Sequence, residues 1–135
     1  MKINHIAIAV QNLEEALKVY RDILGLELKG VEEVLEQGVR VAFLPAGEVR
    51  LELLEPLSPE SPVSSFLEKR GEGIHHICFE VEDLEKTLQD LANKGVKLID
   101  ERPRIGAHGR RMAFVHPKSM HGVLVELYQA EGSHD

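Results

Sequence analysis

Four side chains in this sequence are placed to hold a divalent cation: His5, Glu52, His76 and Glu126. The histidines stand in two segments that match without gaps, NHIAIAVQNLEEAL at 4–17 and HHICFEVEDLEKTL at 75–88, which are identical at His5/His76, Ile6/Ile77, Val10/Val81, Leu13/Leu84, Glu14/Glu85 and Leu17/Leu88. The carboxylates stand in a second matching pair, LELLE at 51–55 and VELYQ at 125–129, at similar distances beyond their histidines. Alternate residues of a strand face opposite sides, so His5, Ala7 and Ala9 share one side of the first strand and Ile6, Ile8 and Val10 the other. The same phase groups His76 with Cys78 and Glu80, and selects His76 over its neighbour His75 as the partner of His5. Glu52 lies between Leu51 and Leu53 and Glu126 between Val125 and Leu127, so both carboxylates point where the histidines point. A buried carboxylate needs a partner or a cation, because desolvating it alone is costly. Two imidazoles and two carboxylates converging on a concave sheet face form an N/O site for a divalent transition metal. Any one of these residues alone would read as a polar side chain on the exposed face of an antiparallel sheet. The recurrence of the same pair at the same positions favours the metal.

The elements that must position these residues follow from the same duplication. Each copy reads as a strand, a cap at Asn12 or Asp83 and a helix whose apolar stripe is Leu13, Ala16, Leu17, Tyr20 and Leu24 in the first, and Leu84, Leu88 and Leu91 in the second. Beyond Gly25, strands are expected at 26–34, 38–44 and 49–55, separated by Gln37-Gly38 and Ala46-Gly47. The second copy predicts short strands near 96–100 and 111–116 and a last strand over 122–128. The expected fold is α+β, a single domain over 1–135 built from tandem βαβββ modules that form a curved mixed sheet around the metal site. The first module spans 1–57 and the second 73–130. The linker at 58–72 holds a short helix that Ser61 caps, with Pro62 in its first turn and Lys69, Arg70 and Gly71 at its end.

Composition limits the alternatives. A chain of 135 residues with 43% apolar and 29% charged residues can bury a core and is neither disordered nor a coiled coil. No apolar run approaches the roughly 18 residues of a membrane span, and the N-terminus lacks a signal-peptide layout, so a cytoplasmic protein is expected. The single cysteine, Cys78, excludes an internal disulfide and a cysteine-based zinc site. It reads as a small residue of the site wall. A net charge of −7 argues against a nucleic-acid surface. The stretch 102–118 (RPRIGAHGRRMAFVHPK) nevertheless carries Arg102, Arg104, Arg110, Arg111 and Lys118 with no acid, and Gly106 and Gly109 would let backbone amides approach an anion. It reads either as an anion-binding patch or as a solvated basic loop. His108, His116, His121 and His134 read as surface or structural residues.

The chain resembles the vicinal oxygen chelate superfamily, the glyoxalase/bleomycin resistance/dioxygenase fold, over nearly its whole length. Within it, NHIAIAVQNLEEALKVYRDILGL, LELLEPLSPESPVSSFLEKRGEGIHHICFEV and especially FVHPKSMHGVLVELYQ are most similar to the methylmalonyl-CoA epimerase family. The resemblance implies metal ligands from the first and last strands of each module, which carries over onto His5, Glu52, His76 and Glu126. It implies one divalent ion per chain, Co2+ first and Mn2+, Ni2+ or Zn2+ as alternatives, and interconversion of (2R)- and (2S)-methylmalonyl-CoA, as in propionate metabolism, by removal and return of the C2 proton. Glu126 would be both ligand and first base, with Glu52 as ligand and candidate base for the opposite face. Some relatives have glutamine in place of Glu52, and a glutamate proposed as second base in others falls here on Val41, which cannot move a proton. Lys118 and Ser119 of the HPKS turn are the expected substrate contacts, with Arg104 and Arg110 for the CoA phosphates. The resemblance also implies a homodimer. A glyoxalase I-like lactoylglutathione lyase and a metal-free small-molecule-binding protein of the same fold are the competing readings, and a ring-cleaving dioxygenase fits less well.

Overall fold

The computed structural model describes residues 1–131. The chain forms two compact units, one of His5–His75 and one in which Met1–Asn4 join the residues from His76 onward. Each is a βαβββ module.

In the first unit, which takes β1 (Lys2–Ala9) from His5 onward, that strand leads into α1 (Leu13–Leu17), followed by β2 (Gly30–Val34), β3 (Val39–Ala46) and β4 (Val49–Pro56). The strand order is β2-β3-β4-β1, with antiparallel pairs except for β1 and β4, which run parallel. Asn12 caps α1 by accepting the amide of Glu15, and Glu14 and Glu15 lie in the first turn, where carboxylates suit the helix dipole. Val10, Leu13, Leu17, Ala42, Leu44 and Leu53 form the core between helix and strands, with Ala16 and Tyr20 packed against it. Fully burying one such leucine is worth about 1.5–3 kcal/mol. The helical stripe stops short of its expected end. A π-helical stretch, Lys18–Ile23, follows α1, and its Leu24 amide reaches back five residues to Val19 O at 2.7 Å. The wider turn takes Leu24 out of the stripe, and it is 63% exposed. The strand expected over 26–34 begins only at Gly30, because Leu26 and Leu28 turn onto the core. The linker helix, α2 (Pro62–Arg70), starts at Ser61, whose hydroxyl accepts the amide of Val63, and ends at Gly71 in the left-handed region.

The second unit repeats the plan with β5 (Gly73–Val81), α3 (Leu84–Asn93), β6 (Arg104–Ile105), β7 (Arg111–Val115) and β8 (Val125–Gln129), in the order β5-β8-β7-β6. Here β5 and β8 form the parallel pair. Asp83 caps α3 by accepting the amide of Lys86, and Leu84 and Leu88 pack on Val81, Ala113, Val115, Val125 and Leu127. Three expectations change. Residues 96–100 form no strand but one bridge, Leu98 to Val115, because the amides of Ile99 and Asp100 both turn to Phe114 O. The last strand starts at Val125, since a 3-10 turn over Pro117–Met120 and a left-handed Gly122 hold the preceding residues out of the ladder. A short strand, β6, lies inside the stretch that sequence reads as a loop.

Candidate functional site

The first and last strands of each unit bring one histidine and one glutamate together. In the first unit the β1–β4 register sets His5 opposite Arg50 and Ala7 opposite Glu52. Both site residues are buried, His5 at 2% and Glu52 at 4% exposure, and His5 Nδ1 lies 3.2 Å from Oε2 of Glu52. The small side chains of Ala7 and Ala9, both fully buried on the histidine side, keep larger groups from crowding the pair. Arg50 completes the cluster, donating from Nε at 3.0 Å and from Nη2 at 2.8 Å to Glu52 Oε2. Its guanidinium lies over the ring of Phe43, the residue opposite Glu52 on β3.

In the second unit the β5–β8 register sets Cys78 opposite Glu126. His76 Nε2 lies 2.9 Å from Glu126 Oε1, and both residues are buried. The His76 ring meets Phe114 edge-on at 5.4 Å, and Phe114 stands opposite Glu126 on β7 as Phe43 stands opposite Glu52. Arg104 lies over Phe114, but its Nε is 3.0 Å from Asp100 Oδ1. The two carboxylates therefore sit among similar rings with different cations nearby. Cys78 is fully buried beside Glu126, and Val41 is buried in the first unit. His75 belongs to the first unit, where its ring packs against Phe66 at 4.9 Å.

Each pair suits a divalent ion. Two neighbouring ligands about 2.0–2.2 Å from one ion stand roughly 3 Å apart, which is the N···O separation of both pairs. Imidazole and carboxylate are the donor types expected at such a site, and both pairs are withdrawn from water.

Three arginines of the basic stretch have acidic or carbonyl partners, while Arg102 and Lys118 are exposed. Asp100 takes Arg104, while Arg110 donates to Gln129 O, lies over the Tyr128 ring and faces Glu131 at 3.7 Å. Arg111 pairs with Glu85. Sequence missed these partners because every acid lies outside 102–118. Lys118 is exposed on the 3-10 turn. Ser119 serves that turn's packing, its hydroxyl accepting the amide of Lys97 at 2.8 Å. His116 Nδ1 accepts the amide of Lys118 and caps the same turn, and His108 and His121 are exposed residues in the left-handed region. His134 lies outside the described residues.

Two contributions escaped the sequence reading. Arg50 could have been found from its place two residues before Glu52 on the same side of a strand. Glu55 and Gln129, three residues after the site glutamates, accept the amides of Leu13 and Leu84 at the starts of α1 and α3. The alignment of LELLE with VELYQ holds that signal.

A model of the Glyoxalase/Bleomycin resistance protein/Dioxygenase superfamily matches residues 4–114. An ethylmalonyl-CoA/methylmalonyl-CoA epimerase of Cereibacter sphaeroides is 44% identical over 130 residues, covering 95% of this chain and 97% of its own. Human mitochondrial methylmalonyl-CoA epimerase is also 44% identical over 130 residues, covering 96% of this chain and 74% of its own. Among solved structures, a single-residue variant of Streptomyces coelicolor methylmalonyl-CoA epimerase in complex with 2-nitronate-propionyl-CoA superposes with a TM-score of 0.92 at 40% identity, covering 98% of this chain and 96% of that one. With its two βαβββ modules and relatives 44% identical over nearly all of its length, the chain belongs to the glyoxalase/bleomycin resistance protein/dioxygenase superfamily and, within it, to the methylmalonyl-CoA epimerases.

Proposed function

We propose that the protein is a methylmalonyl-CoA epimerase that holds one divalent ion through His5, Glu52, His76 and Glu126. The observation that carries this reading is the repetition of a buried His–Glu pair on the parallel first and last strands of each unit, in a chain of the epimerase family. The bound ion, Co2+ first and Mn2+, Ni2+ or Zn2+ as alternatives, would act as a Lewis acid toward the oxygens on which negative charge develops.

The chain's own groups do the remaining work. The C2 carbon lies between a thioester and a carboxylate, so removing its proton needs a base held in place, and inversion needs a proton returned to the opposite face. Glu126 is assigned that role. Its Oε1 lies 2.9 Å from Nε2 of His76, which holds the carboxylate in place. Glu52 is assigned first as a ligand beside His5, its carboxylate oriented by the two donors of Arg50, and second as the candidate base for the opposite face. Lys118 and Ser119 are assigned to the substrate's CoA portion through the HPKS turn, with Lys118 as the stronger candidate because it is exposed. Arg104 and Arg110 would have to serve phosphates while keeping their internal partners, Asp100 and the Gln129 carbonyl. The family resemblance supports a homodimer. No helix of the described residues is long and apolar enough to cross a membrane.

A substrate screen tests the reading. Metal-loaded protein should convert (2R)- to (2S)-methylmalonyl-CoA and leave a glutathione hemithioacetal unchanged. The reverse preference would make it a glyoxalase I-like lyase, and a protein that takes up no divalent metal and is inactive on both substrates would favour a small-molecule-binding role.

A further inference from the structure

Arg50 and Glu52 leave the same side of β4, and Arg50 stands opposite His5 in the parallel ladder. The two guanidinium nitrogens at 3.0 and 2.8 Å and the His5 nitrogen at 3.2 Å all fall on Oε2 of Glu52. The other face of the guanidinium rests on Phe43, 5.1 Å from the ring centre, and the Arg50 side chain is 25% exposed. Ring and carboxylate thus fix the cation from two sides. The second unit repeats the ring without the fork, because Arg104 over Phe114 turns to Asp100. A mostly buried arginine and carboxylate in contact form a neutral pair, whereas either one alone is an uncompensated charge.

We propose that Arg50 is a positioning residue that acts through Glu52. It offsets the carboxylate charge and fixes the orientation of the carboxylate, so that the pair offers a divalent ion an oxygen held in place with no more net charge than glutamine would bring. The proposal rests on the metal-site reading above. Removing the carboxylate alone would leave a guanidinium beside a dication, and like charges at such range in a low-dielectric site repel strongly. Removing both groups restores neutrality. Removing Arg50 alone leaves a bare carboxylate, a stronger ligand than the pair.

The test is a double-mutant cycle read as the Zn2+ affinity of the metal-free protein in chelator competition. Arg50→Met keeps an apolar stem on Phe43 and removes the charge, and Arg50→Gln serves as a second neutral variant if the first fails to fold. Arg50→Met should tighten Zn2+ binding about tenfold and Glu52→Gln should weaken it about tenfold, each the order expected for one uncompensated charge at a partly screened site. The double variant should return to within about threefold of the parent, and Arg50→Lys should stay close to it because lysine keeps the charge. If neutralising Arg50 weakens Zn2+ binding, or fails to restore it in the Glu52→Gln background, Arg50 is only a packing residue and the proposal is overturned. A parent protein that binds no divalent ion overturns the metal-site reading and this proposal together. A parent that binds Zn2+ normally but fails the cycle overturns this one alone.

Discussion

Gln129 does for α3 what Glu55 does for α1. The Leu84 amide donates to Gln129 Oε1 at 2.9 Å, and the Leu13 amide donates to Glu55 Oε2 at 2.8 Å. Each acceptor stands at the far end of the strand that carries a site glutamate, so the last strand of each unit both anchors the helix and places the carboxylate. Gln129 also donates from Nε2 to Glu82 O at 2.6 Å, tying β8 to the turn before α3. Gln129→Ala should lower the unfolding free energy by about 1–2 kcal/mol, the cost of a lost helix N-terminal acceptor and one further, exposed hydrogen bond. Urea unfolding should show a lower midpoint with an unchanged slope.

The repeated pairs predict which histidines hold metal. His5→Ala and His76→Ala should each remove most of the roughly one ion expected per chain. His75→Ala should retain it, because His75 packs on Phe66 in the first unit. Elemental analysis of purified variants reads this directly, and full metal content in the His5/His76 double variant would remove the proposed site.

The basic stretch should divide into structural and substrate-facing residues. Arg104→Ala leaves Asp100 without its guanidinium, and Arg110→Ala removes the donor to Gln129 O, so each should cost about 1–2 kcal/mol and lower Tm. Lys118→Ala should leave Tm unchanged and raise KM for methylmalonyl-CoA several-fold with kcat nearly constant, as expected when uniform binding is lost. A lowered Tm with unchanged KM for Lys118→Ala would return that lysine to a structural role.

The duplication made the βαβββ plan and the directions of His5, Glu52, His76 and Glu126 readable, because period-two alternation and helix caps are local signals. Asn12, Asp83 and Ser61 cap where their positions suggest. What stayed hidden depends on contacts between distant segments or on small changes of helical pitch. Leu24 leaves its stripe through one π-helical turn that no apolar pattern announces. Residues 96–100 have strand-like composition but lose their ladder to two amides that share Phe114 O. The arginines of 102–118 look unopposed only while Asp100, Glu85 and Glu131 are seen as remote in the chain.

Exchange of the C2 proton of methylmalonyl-CoA in heavy water, followed by NMR with metal-saturated parent and Glu126→Gln proteins, tests the central claim most directly. Glutamine keeps the size of the side chain and one coordinating oxygen but cannot accept a proton. The parent should exchange the proton, and Glu126→Gln should be slower by at least about 10², the low end of the general-base range, even with metal restored. Exchange by Glu126→Gln at a near-parent rate would contradict the assignment of the base, and no exchange by the metal-loaded parent would contradict the function itself.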